Sequence, residues 1–186
     1  MNQAPAQKEA RRLMPNWSEH DLTVSGSKEA VEEFLKFAAG ESPFDFNRFI
    51  PYPEEFRRLD ELAKAWDREH EGRPDYDWRA RPKDGFNSGG YEWRIANWGP
   101  KWPAFHVEVE EPVTSYDEKT LEVVFHLDTA WSPPTPVIEK AAQLYPALRF
   151  ELRYFECGCQ FNGLFCCSGG EVESDESGPY FGNRGG

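Results

Sequence analysis

The sequence predicts an α+β domain of the ferredoxin-like kind, βαββαβ, with four antiparallel strands carrying two helices on one face. Two patterns point there. Residues 20–25, 105–110, 121–127 and 148–156 alternate apolar and polar side chains with period two. Residues 28–39 and 135–145 carry apolar side chains at helical spacing, and each helical stretch lies between two of those strands. A chain of 186 residues suits one domain, and 39% hydrophobic with 15% aromatic content is enough for a core.

Residues 1–13 are polar and charged with no apolar run, so they are expected to form a flexible leader rather than a secretory signal. The domain is expected over 14–168. In its first strand Leu22 and Val24 alternate with Asp21 and Thr23. Ser27 then caps a helix that has Glu29 in its first turn, a stripe of Val31, Phe34, Leu35 and Ala38, and Gly40 past its end. Residues 41–103 are too long for a plain connection and are expected to be an insertion. Within it, 53–70 reads as an amphipathic helix with Phe56, Leu59, Leu62, Ala63 and Trp66 on one face, and 71–90 as a mobile loop. Phe105, Val107 and Val109 are placed on the core side of the next strand, a turn falls at 112–119, and Leu121, Val123, Phe125 and Leu127 face the core from the strand that follows. The prolines of 132–136 start the second helix, whose stripe is Val137, Ile138, Ala141, Leu144 and Tyr145, and Pro146 ends it. Phe150, Leu152 and Tyr154 point inward from the last framework strand, an extra C-terminal strand covers 161–167, and the acidic, Gly-rich 169–186 is expected to be a flexible tail. Right-handed crossovers then favour strand order 4-1-3-2.

Several strings carry a resemblance. Met14-Pro15-Asn16-Trp17, Leu22-Thr23-Val24-Ser25-Gly26, Asn97-Trp98-Gly99-Pro100-Lys101-Trp102, Thr129-Ala130-Trp131-Ser132-Pro133-Pro134 and Phe150-Glu151-Leu152-Arg153-Tyr154-Phe155-Glu156 resemble the YubB-like ferredoxin-like family of phages and plasmids. The resemblance spans about 14–163. It implies the fold and a mobile-element origin. The family has no established activity, so it implies no catalytic residue. The leader before Met14 and the cysteine-rich end depart from its pattern.

Charge restricts the function classes. Against 21 basic residues stand 33 acidic ones, a net charge of −12, which disfavours a nucleic-acid partner because phosphate tracking needs a basic face. No apolar run approaches the length of about 20 residues that a membrane span requires, so no membrane role is predicted. With no secretory signal the expected compartment is the cytoplasm, where cysteines stay reduced.

Three groups of residues could carry a function. Cys157, Cys159, Cys166 and Cys167 could close a tetrahedral zinc site, although their spacing is not that of a zinc ribbon; simple thiols and a disulfide are the other readings. On the face of the sheet away from the helices, His106, Glu108 and Glu110 stand beside Glu122, His126 and Asp128, with His106 opposite His126 or within one residue of it. Imidazoles beside carboxylates could hold a divalent metal or move protons. Trp98 and Trp102 flank Lys101, and with Trp131 they form an aromatic cluster at the strand ends, either a binding surface or a plug for the core. Phosphate loops, nucleophile elbows and zincin helices are absent. The sequence thus favours a non-enzymatic module that binds a protein partner through Trp98, Lys101, Trp102, His106, Glu108, His126, Asp128 and Trp131. The alternative is a metal-binding module or metal-dependent enzyme, using the cysteines or the two histidines. No cofactor beyond that conditional zinc is predicted.

Overall fold

A computed structural model describes residues 16–73, 77–115 and 119–179. The predicted leader lies outside the described residues. The strands are β1 (Trp17–Ser27), β2 (Phe105–Val109), β3 (Val113–Thr114), β4 (Thr120–Ala130), β5 (Arg149–Glu156), β6 (Phe161–Ser168) and β7 (Glu171–Pro179). The α-helices are α1 (Lys28–Ala38), α2 (Phe46–Phe49), α3 (Glu54–His70), α4 (Gly90–Asn97) and α5 (Thr135–Leu144).

All the strands join one antiparallel sheet of order β2-β4-β1-β5-β6-β7, with β3 also paired to β4. The four framework strands stand as β2-β4-β1-β5, the ferredoxin-like order. The full sheet differs from the bare four-strand expectation because β3, β6 and β7 enlarge it. The α+β ferredoxin-like class is confirmed.

Alternation along each strand builds the core. Leu22 and Val24 of β1, Leu121 to Leu127 at alternate positions of β4, and Phe150 and Leu152 of β5 are buried against α1 and α5. Burying such side chains contributes about 1.5–3 kcal/mol each. Ser27 caps α1 by accepting from the Ala30 amide, and α1 buries Val31, Phe34 and Ala38. Phe34 meets Phe125 and Phe150 edge-on, at ring separations of 6.2 and 5.3 Å. The α5 stripe is shifted from the expected one: Val137, Ile138, Ala141 and Ala142 are buried, whereas Leu144 is exposed.

The insertion enlarges the helical layer. Phe44, Phe46, Phe49, Tyr52 and Trp98 join the same core cluster as the inner face of the sheet. The α3 face is less buried than its pattern predicts: only Ala63 is fully covered, and Leu62 is exposed. The expected mobile loop carries two 3₁₀ turns, Trp78–Ala80 and Phe86–Ser88. The Arg81 guanidinium ties them to α3 through Asp67 at 2.8 Å, and also meets Asp84 at 3.0 Å.

The C-terminal tail needs correction. Instead of fraying, residues 171–179 form β7 along β6. Gly169 and Gly170 both have positive φ, 62° and 83°, and together make the two-residue turn that a tight hairpin needs. Backbone pairing carries the strand, so it shows no apolar alternation. Its acidic side chains protect an outer edge that would otherwise invite another strand.

Candidate functional site

The sheet face away from the helices is charged in a one-sided way. Register places Glu19 and Asp21 of β1, Glu122 and Asp128 of β4, and Glu108 of β2 on it, with Glu110 just beyond β2. The strand segments that carry these six carboxylates, 17–27, 105–110 and 120–130, contain no Lys or Arg, and Arg153 of β5 stands beside Asp21 at the border of the patch. The other half, on β5, carries Arg149 and Arg153, paired with Glu173 and Glu151.

His126 sits at the centre of the acidic half. Its Nδ1 lies 2.6 Å from Asp21 Oδ1 and its Nε2 2.8 Å from Glu110 Oε1. These hydrogen bonds, first to Glu110 and then to Asp21, hold its pKa above the ordinary histidine value. The ring therefore bridges two strands and the chain beyond β2. Its two carboxylates occupy opposite nitrogens, so they do not converge on one metal position. Among the described residues no three His, Cys, Asp or Glu side chains are grouped to hold an ion.

A bulge sets the register here: His106 falls between the pairs Phe105–Asp128 and Glu108–His126, within the expected one residue of His126 though not directly opposite it. The extra residue is taken up around His106, whose φ is 48°. The shift by one turns the strand over at its start. Phe105, expected in the core, is exposed beside Trp17, and Val109 is exposed as well. His106 reaches Asp128 instead, at 2.9 Å.

That turnover builds an aromatic corner. Trp17 lies 5.1 Å from Phe105 and 6.5 Å from Trp102, centroid to centroid, and 6.2 Å from the His106 ring. On the far side of Trp102 the Lys101 ammonium stands 4.4 Å from that ring and 3.5 Å from the ring of Trp131. Partial burial lowers the Lys101 pKa. Gly99, at φ 94°, carries the chain past the Pro133 carbonyl, where a Cβ would clash, and so sets Lys101 against Trp131. Trp131 itself is in the left-handed region at φ 77°, and its amide donates to the Asn16 carbonyl.

Trp98 does not belong to this surface. It is 1% exposed, packs edge-on against Phe46 and Trp93, and donates its indole N–H to the Ile50 carbonyl at 2.8 Å. It is the core plug, whereas Trp102 and Trp131 hold Lys101.

The four cysteines are free thiols that the fold keeps apart. Cys157 and Cys159 are exposed in the turn between β5 and β6, while Cys166 and Cys167 are buried at the far end of β6. At about 3.3 Å per residue, the separation along the strand is roughly 20 Å. Cys166 pairs with Glu151 on the open face and Cys167 with Phe150 on the core face. A four-thiolate zinc site is therefore not formed.

Sequence reasoning missed Trp17, Asp21 and Phe105 as members of the site. Extending the β1 alternation back by two positions from Glu19 would have put Trp17 on the open face. Nothing in the sequence flagged the bulge that turns Phe105 outward.

This architecture, an antiparallel sheet with helices on one face, defines a ferredoxin-like α+β protein. Residues 112–181 match the family model described as the ferredoxin-like domain in Api92-like protein. The fold also resembles the crystal structure of protein Api92 from Yersinia pseudotuberculosis, with TM-score 0.55 and 10% identity, over 91% of this chain and 99% of that one. Among curated proteins none matches this chain. Among the described residues, no helix is long and apolar enough to cross a membrane.

Proposed function

We propose that this chain is a non-enzymatic interaction module that docks a basic protein surface on the acidic half of its open sheet face. The observation that carries the reading is the segregation of charge: six carboxylates gather there on strand segments that contain no Lys or Arg, although the chain has 21 basic residues. A scattered −12 would serve solubility alone, whereas a one-sided patch steers a complementary partner. The same patch repels a phosphate backbone, so the partner is protein rather than nucleic acid. The resemblance of 14–163 to the YubB-like family supports an accessory role in a mobile element. Free thiols support a reducing, cytoplasmic setting.

The test compares two variants with equal net charge. One replaces Glu108, Glu110 and Glu122 with Gln on the face; the other replaces Glu29, Glu33 and Glu55 with Gln on the helical side. Binding of an alternating Arg-Gly peptide is measured by calorimetry at low and physiological salt. The face variant is expected to lose about tenfold in affinity while the control stays near wild type. Equal loss in both would reduce the effect to net charge and overturn the reading.

A further inference from the structure

The aromatic corner lies at one end of the acidic half, and its chemistry is specific. Phe105 pairs with Asp128, and Asp128 pairs with Glu19, so two carboxylates stand in the row next to the rings of Trp17, Phe105 and Trp102. The corner already receives one cation of its own: Lys101 sits between Trp102 and Trp131, at 4.4 and 3.5 Å from the two ring centroids. Holding Trp131 there requires a left-handed backbone at a bulky residue, which is unfavourable without compensation. Phe105 is 42% exposed and Trp131 45%, so apolar ring surface remains in contact with water on both sides of the occupied slot.

We propose that this corner is the anchor of the docking face and takes an arginine side chain of the basic partner against Phe105 and Trp17, beside Asp128 and Glu19. This rests on the docking reading above. Arginine fits better than lysine. Its planar guanidinium stacks on aromatic rings, is weakly hydrated, and can bond a carboxylate while stacked. The carboxylates attract any cation, and the rings select the flat one. The long-range field thus brings the partner in, and the corner fixes its register.

The probes are an alternating Arg-Gly peptide and its Lys-Gly counterpart, titrated against the full chain with tryptophan fluorescence and calorimetry. Wild type is expected to bind the arginine peptide several-fold tighter. Phe105→Ser, at an exposed edge position, is expected to lower arginine-peptide affinity about 3- to 10-fold and leave the lysine peptide nearly unchanged. Trp17→Ser, at the partly exposed start of β1, removes the other ring of the seat and is a second variant expected to weaken the preference too. Thermal melts confirm that both are folded.

The outcomes separate the two proposals. If the triple Gln face variant loses both peptides while Phe105→Ser and Trp17→Ser keep the full arginine preference, the docking face stands and the corner is overturned. If the aromatic variants lose the preference while the face variant binds as wild type, the corner stands and the docking face falls. Equal wild-type affinity for both peptides overturns the arginine assignment outright.

Discussion

His20 and His126 stand on paired strands one register step apart and face opposite sides of the sheet. His20 is fully buried, with Nδ1 3.1 Å from the Leu127 carbonyl. Since Nδ1 faces a carbonyl, it carries the proton, and Nε2 accepts from the Ser18 hydroxyl at 3.3 Å, because the Thr129 hydroxyl already donates to the Ser132 carbonyl. Burial lowers its pKa to about 4, whereas the carboxylates around His126 raise that of its neighbour.

For His20 the folded value lies below the unfolded one, so acidification favours the unfolded state. Its contribution is complete above pH 6.5 and is lost as pH falls toward about 4. A drop of about 2.5 pH units corresponds to roughly 3 kcal/mol. Ring-nitrogen NMR should show His20 neutral until near pH 4. Protonation of this ring near pH 6.5 would contradict the buried, neutral assignment.

For His126 the sign reverses. Its pKa is raised, so its stabilisation is fully present below the ordinary histidine value of about 6.5 and is lost as pH rises through the folded value. Asp21 and Glu110 face it directly, Glu108 opposes it across β2, and Arg153 lies beyond Asp21 on β5. His126→Gln should therefore cost stability at pH 6 and progressively less at higher pH, by denaturant titration. A deficit that grows with pH would rule out the bridging role.

These side chains show what could be read from the sequence. Period-two alternation placed the inner residues of β1, β4 and β5 correctly, because both neighbours of each central strand enforce one register. It failed at the start of β2, an edge strand with one neighbour, where the bulge at His106 turns Phe105 outward while Glu108 and Glu110 keep the expected open face. The same edge freedom hid β7, which pairs through its backbone with few buried side chains. The acidic composition of the face was legible. The aromatic corner was legible only in part, since Trp102, Lys101 and Trp131 lie in turns whose mutual distance is set by long-range contacts.

Two tryptophans distinguished only by the structure should respond differently to truncation. Trp98→Ala removes a buried ring and its hydrogen bond to Ile50, and should destabilise by about 3–5 kcal/mol. Trp131→Gly loses the contact with Lys101 but relieves a left-handed backbone, two terms of about 1 kcal/mol each and opposite sign. Its net change should stay within about 1 kcal/mol. Comparable losses for the two variants in urea melts would remove the distinction between plug and surface.

Thiol chemistry should divide the cysteines in half. Cys157 and Cys159 are exposed and should react with a disulfide reagent within the mixing period at pH 8. Cys166 and Cys167 are buried, and burial pushes the Cys167 thiol up to about 11. They should react only as the β6 end opens, and all four should react promptly in denaturant. Four fast thiols in the native protein would show that β6 and β7 do not protect that end.

Neutralising the acidic half should raise stability. Glu108, Glu122, Asp128, Glu19, Asp21 and Glu110 crowd one surface, with His126 hydrogen-bonded between Asp21 and Glu110 at their centre. Like charges on neighbouring strands oppose each other by a few tenths of a kcal/mol per pair. A face kept for solubility would gain nothing from such crowding, since the same residues dispersed would repel less. Glu108→Gln with Glu122→Gln should therefore raise the thermal midpoint, most at low salt and least where screening is strong. The same pair should weaken the Arg-Gly peptide. Stability gained together with binding lost is the signature of a surface strained for recognition. If the double variant were less stable at every salt concentration, the carboxylates would be holding the sheet together instead, and the docking face would lose its physical basis.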